Sequence, residues 1–93
     1  MSGHTTTHTE TLSRLSRIEG QIKGVKRMIE EGEYCIDIIT QIQAARSALQ
    51  SASKIILEKH LRHCVSDALK AKDETIIDEK LKEIMIVIKR MEK

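Results

Sequence analysis

The chain has no tryptophan, no phenylalanine and no proline, and its single aromatic residue is Tyr34. Aromatic side chains are the bulkiest core fillers, so any interior here must be assembled from Ile, Leu, Val, Met and Ala. In 93 residues that makes a thin core, because a domain of this length buries only about two-thirds of the surface its unfolded chain exposes. Self-association is the ready way to add buried area. Apolar runs never approach the roughly 18 residues of a membrane span. No basic start leads into an apolar run and a small-residue cleavage site, so no secretory signal is expected. Two cysteines, Cys35 and Cys64, are too few to staple a secreted scaffold, and we expect a reducing, cytoplasmic setting. There is no glycine-rich phosphate loop and no set of nucleophile, base and orienter, so catalysis is not expected.

Proline is missing throughout and glycine is missing after Gly32, so nothing from Glu33 to Lys93 carries a strong helix breaker. Residues 1–10, MSGHTTTHTE, are polar and without apolar period, and read as a flexible tail. Residues 11–93 read as one helical domain. Apolar residues then recur three or four apart at Leu12, Leu15, Ile18, Ile22, Val25 and Met28/Ile29, the stripe of a first helix. Gly20 and Gly24 lie inside it, four apart, a spacing that suits close approach of another helix. The helix should end near Gly32, a residue that accepts a left-handed terminus. A second stripe runs from Ile36 through Ala45, Ala52, Ile56 and Val65 to Leu69. It spans about 35 residues, or about 50 Å of helix. AKDET, residues 71–75, holds the next break, with Asp73 as cap. Ile76/Ile77, Leu81, Ile84, Ile88 and Met91 mark a third helix. The expected fold is all-α, three helices in the order short, long, short.

The charges nearly cancel in sum, 16 basic against 14 acidic, but they are sorted along the chain. Arg14, Arg17, Lys23, Lys26 and Arg27 face only Glu19 on the first helix, and an acidic stretch, Glu30, Glu31, Glu33 and Asp37, follows. Arg46, Lys54, Lys59 and Arg62 form a second basic group. Such sorting suits either a phosphate-binding surface or a solvated helical face, and leaves both open.

Cys35, His60 and Cys64 carry the chemistry. His60 and Cys64 are four apart on the long helix, which puts them on one face about 6 Å apart at Cβ. Alone, such a pair serves structure as readily as metal. Cys35 lies 25 residues before His60 on the same unbroken helix, about 38 Å along its axis, and within one chain it cannot reach the pair. In an antiparallel dimer it can, and two-fold symmetry then makes two equivalent sites, each with Cys35 from one subunit and His60 and Cys64 from the other. Two thiolates and an imidazole favour Cu(I), whereas a closed Zn(II) site takes four ligands. A fourth ligand from the tail, His4 or His8, would instead suit Ni(II), Co(II) or Zn(II). His63 adjoins Cys64 but points about 100° away around the helix. A thiol redox sensor joining Cys35 and Cys64 of neighbouring chains is a further reading.

The segments RLSRIEGQIKGVKRMIEEGEYC, DIITQIQAARSAL and HLRHC, with nearly the whole span from Leu12 to Met91, resemble the copper-sensitive operon repressor family, also called CsoR/RcnR. The resemblance implies a helical regulator that binds double-stranded operator DNA and releases it on sensing an effector, assembled as a dimer of dimers. It implies Cu(I) at Cys35, His60 and Cys64, the ligand pattern of the copper branch. The nickel–cobalt branch carries His at the last position and recruits an N-terminal histidine, for which His4 is the candidate here. His60 departs from the persulfide-sensing branch, which lacks it. Tyr34 matches a tyrosine that the copper branch keeps beside its ligands. That branch also keeps a glutamate on the third helix, where this chain has Lys80, with Glu79 and Glu83 nearby; Glu79 is the candidate for the role. For DNA the resemblance carries over Arg14, Arg17 and Arg46, with Lys23 and Lys54.

Overall fold

In the computed structural model, which describes residues 7–92, the chain is helical and no strand occurs among the described residues. A single 3-10 turn, Thr9–Thr11, leads into α1, Leu12–Glu30; α2 is Cys35–Ala71 and α3 is Glu74–Met91. The expected order of short, long, short is the observed one. His4 lies outside the described residues. The chain divides into two compact units, one of them Thr7–Ile56 and the other described from Leu57 onward.

In the first unit, α1 stops where glycine permits it to stop. Gly32 takes φ +69°, its amide donates to the Ile29 carbonyl at 3.1 Å, and the Glu33 amide donates to that of Met28 at 2.9 Å. This reciprocal pair satisfies the last carbonyls of α1 through a left-handed residue, a conformation that costs an ordinary L-residue about 1–2 kcal/mol. The amides of Asp37 and Ile38 then donate to the Tyr34 carbonyl and α2 begins. Ile18 is the buried side chain of α1, and Ala45 and Ala52 are buried on α2. Gly20 and Gly24 lie inside α1, as expected, and face no other helix of the described residues. A Cβ built on either meets no atom within 4 Å, so neither has a close neighbour among the described residues. The reason is rotational: two and six residues beyond Ile18, they stand about 200° and 240° round the helix from it.

α2 continues without a break for 37 residues, as the lack of Gly and Pro requires. In the second unit it ends without glycine, and Lys72 takes the left-handed position itself, at φ 53°. Asp73 then caps α3, its carboxylate oxygen accepting from the amides of Thr75 at 2.9 Å and Ile76 at 3.5 Å. Cys64 and Ile84 are the buried apolar side chains here.

Each unit is short of interior. Leu12, Ile22, Ile29, Ile36, Ile39, Ile42 and Leu49 stay exposed in the first, and Val65, Leu69, Leu81, Met85 and Ile86 in the second. Leu69 is 68% exposed. Isolated exposed apolar residues are ordinary, but stripes of them at helical spacing mark surfaces meant for a partner. No helix among the described residues is long and apolar enough to cross a membrane.

Candidate metal and DNA sites

The second unit positions His60 and Cys64 one turn apart on α2. Cys64 is 7% exposed, and the His60 side chain is one-third exposed. Glu83 on α3 holds its carboxylate oxygen 3.7 Å from His60 Nε2. That is an ion-pair distance, too long for a direct hydrogen bond. A carboxylate on this side favours the proton on Nε2, which leaves the Nδ1 lone pair as the donor toward a metal. The sequence alone points to Glu79 for the carboxylate role. Glu79 is exposed, Lys80 is half-buried, and the acid beside the imidazole is Glu83, about one turn further along α3. The signal was visible in the spacing. His60 precedes the 71–74 turn by about as many residues as Glu83 follows it, so α3 folding back brings the two level.

Cys35 belongs to the first unit, as the opening residue of α2, and is exposed with a free thiol. Tyr34, just before it, is exposed as well. Among the described residues no three His, Cys, Asp or Glu side chains gather in a way that could hold a metal. Among the described residues, no third side chain of these types joins His60 and Cys64. His8 is half-buried with its Nδ1 enclosed and unpartnered, and His63 is exposed.

Every residue carried over for DNA binding falls in the first unit. Arg14, Arg17, Lys23, Arg46 and Lys54 are all exposed. The structure groups the first two: Arg14 and Arg17 line one shallow pocket with Ile18, Gln21 and Ala48, so that α2 supplies part of the floor. Gln21 is the residue that sequence reasoning did not single out.

The chain belongs to the metal-sensitive transcriptional repressor family, whose model matches residues 7–90. It is 45% identical over 89 residues to the copper-sensing transcriptional repressor RicR of Mycobacterium tuberculosis, covering 96% of this chain and 92% of that protein. Among solved structures it resembles the copper-sensing repressor CsoR with Cu(I) from Geobacillus thermodenitrificans, at 41% identity and a TM-score of 0.80, covering 97% of this chain and 94% of the other. It also resembles the nickel-responsive transcriptional regulator InrS, at 32% identity and a TM-score of 0.76, over 98% and 99% of the two chains. These relatives are transcriptional regulators rather than enzymes.

Proposed function

We propose that the protein is a cytoplasmic Cu(I)-responsive repressor that holds duplex operator DNA without metal and releases it when Cu(I) binds between subunits. One observation carries the reading: a half-buried imidazole and a buried thiol, backed by a carboxylate, stand on one face of a helix without a third donor among the described residues. The residues fit the ion. Two thiols and an imidazole are soft, few in number and suited to Cu(I). Cys35 of one subunit, with His60 and Cys64 of its neighbour, would hold it, and the bound ion supplies a cross-link between two subunits.

The rest is the work of the chain. Glu83, 3.7 Å from His60 Nε2, biases the ring toward one tautomer through its charge. Burial of Cys64 sets one donor in place before binding, while exposed Cys35 is the one free to move. The exposed apolar stripes of α1, α2 and α3 supply the subunit contacts, and an assembly as a dimer of dimers would cover them. Arg14, Arg17, Lys23, Arg46 and Lys54 take the DNA backbone, with no aromatic side chains for single-strand stacking. Coupling of a few kcal/mol between the two sites is enough for release, and by reciprocity DNA weakens metal binding by the same factor.

The test is a titration of the apo protein with Cu(I), buffered by bathocuproine, while operator affinity is followed by gel shift. Affinity should fall at one Cu(I) per chain; unchanged affinity at that stoichiometry overturns the reading. The likeness to InrS supports a second, nickel-responsive reading, in which His4 closes the site. His4→Ala decides between them, because it lowers nickel affinity and response only if the tail supplies a ligand.

A further inference from the structure

Arg14 and Arg17 share a pocket of about 210 Å³ with Gln21, floored by Ile18 of α1 and Ala48 of α2. The Gln21 carboxamide oxygen is buried and has no hydrogen-bond donor. A buried acceptor without a partner costs the fold stability, so the folded chain gains nothing from a glutamine held this way. With the oxygen turned inward, the NH₂ group is the end of the amide left to meet a ligand. The polar side chains that line the pocket carry guanidinium and amide donors, the one acceptor among them, the Gln21 oxygen, is buried, and Ile18 and Ala48 contribute no side-chain acceptor. That is the complement of an oxyanion, and the pocket is large enough to seat a phosphate group. Gly20 and Gly24, one residue before and three after Gln21, meet nothing where a side chain would stand. The helix surface beside the pocket is therefore bare.

We propose that Gln21 is a further DNA-contacting residue, donating through its amide to a duplex backbone phosphate seated between Arg14 and Arg17. The proposal rests on the reading of this basic face as the DNA-binding surface. It assigns Gln21 a role that charge patterning does not show, since the residue is neutral.

The full-length apo protein and a fluorescein-labelled, mixed-sequence duplex at low salt suffice for the test, because a backbone contact carries no base sequence. Gln21→Met should weaken binding by about 10- to 100-fold, the size of one hydrogen bond to a charged group. It should leave the slope of log affinity against log salt unchanged, since no charge is lost. It should also melt at or above the wild-type temperature, because the orphaned oxygen is gone. Gln21→Glu, which keeps the shape but places a carboxylate in the pocket, should bind more weakly still. Arg14→Ala should lower both affinity and salt slope. Wild-type affinity in both Gln21 variants, with Arg14→Ala weakened, overturns the inference and leaves the DNA-binding face standing. Wild-type affinity in Arg14→Ala and Arg17→Ala removes that face, and the inference with it. Calorimetry covers the remaining source of phosphate: loss of inorganic phosphate binding in Gln21→Met with duplex binding intact assigns the pocket to a free anion and overturns the proposal.

Discussion

His60 sits between two demands. Its ring must offer one nitrogen to a soft metal while the other nitrogen is occupied, or the imidazole rotates and changes tautomer freely. Glu83, 3.7 Å from Nε2, meets the second demand through charge, and a small closure of the gap on metal binding would make it a hydrogen bond. Partners of this kind are typically worth about 10- to 100-fold in metal affinity. Glu83→Ala is therefore expected to weaken Cu(I) binding by about that factor in bathocuproine competition, and the corresponding change at Glu79 to have no such effect. His60→Ala separates metal sensing from thiol oxidation. A metal-driven release of DNA is lost in this variant, whereas an oxidant-driven release through Cys35 and Cys64 survives, and gel shifts with each effector read the difference.

The helix ends carry local stability that can be measured one residue at a time. Asp73 accepts two amide hydrogen bonds at the start of α3, and its exposed site gives water ready access once the cap is removed. Asp73→Ala is expected to cost about 1 kcal/mol, read from denaturant midpoints. Lys72 offers the opposite case. It holds a left-handed φ of 53° that a residue with a Cβ adopts at some cost. Its amide still donates to the Ala68 carbonyl at 3.0 Å, so Lys72→Gly keeps the hydrogen bond and relieves the strain. The gain expected is up to about 1 kcal/mol, net of the greater freedom glycine has in the unfolded chain. The two breaks were not equally legible. Gly32 and Asp73 are residue types that announce a terminus and a cap, and both were placed from sequence. A lysine in the left-handed region announces nothing.

The whole molecule is where the metal reading succeeds or fails. If each site takes Cys35 from one subunit and His60 with Cys64 from another, two defective chains can repair each other. A Cys35→Ala chain still supplies His60 and Cys64, and a His60→Ala/Cys64→Ala chain still supplies Cys35. Mixed and reassembled, the two should form heterodimers with one intact site of the two, and Cu(I) binding should return although neither variant binds alone. A site built within one chain predicts no recovery, and mass spectrometry of the mixed, copper-loaded assembly tells the cases apart. The same assembly would cover the exposed stripes. Aliphatic surface such as Ile36, Ile39, Leu69 and Ile86 contributes about 25 cal/mol per Å² once removed from water.

The composition and spacing alone determined a great deal. An aliphatic, proline-free chain with apolar residues three and four apart can do little but form helices, because both periodicity and the absence of breakers are local properties of the backbone. The unbroken run of α2 from Cys35 to Ala71 follows from the same local rule. Which side chains meet across helices is a different matter, set by how the hairpins turn and rotate against each other. Only the tertiary structure put Glu83 rather than Glu79 beside His60, buried Cys64, and turned Gly20 and Gly24 away from the chain's own interior. It alone gathered Arg14, Arg17 and Gln21 over Ala48 of the next helix. A residue's helical state is decided by its neighbours in sequence, but its contacts are decided by a rotation of about 100° per residue, and one turn's difference in register changes the partner.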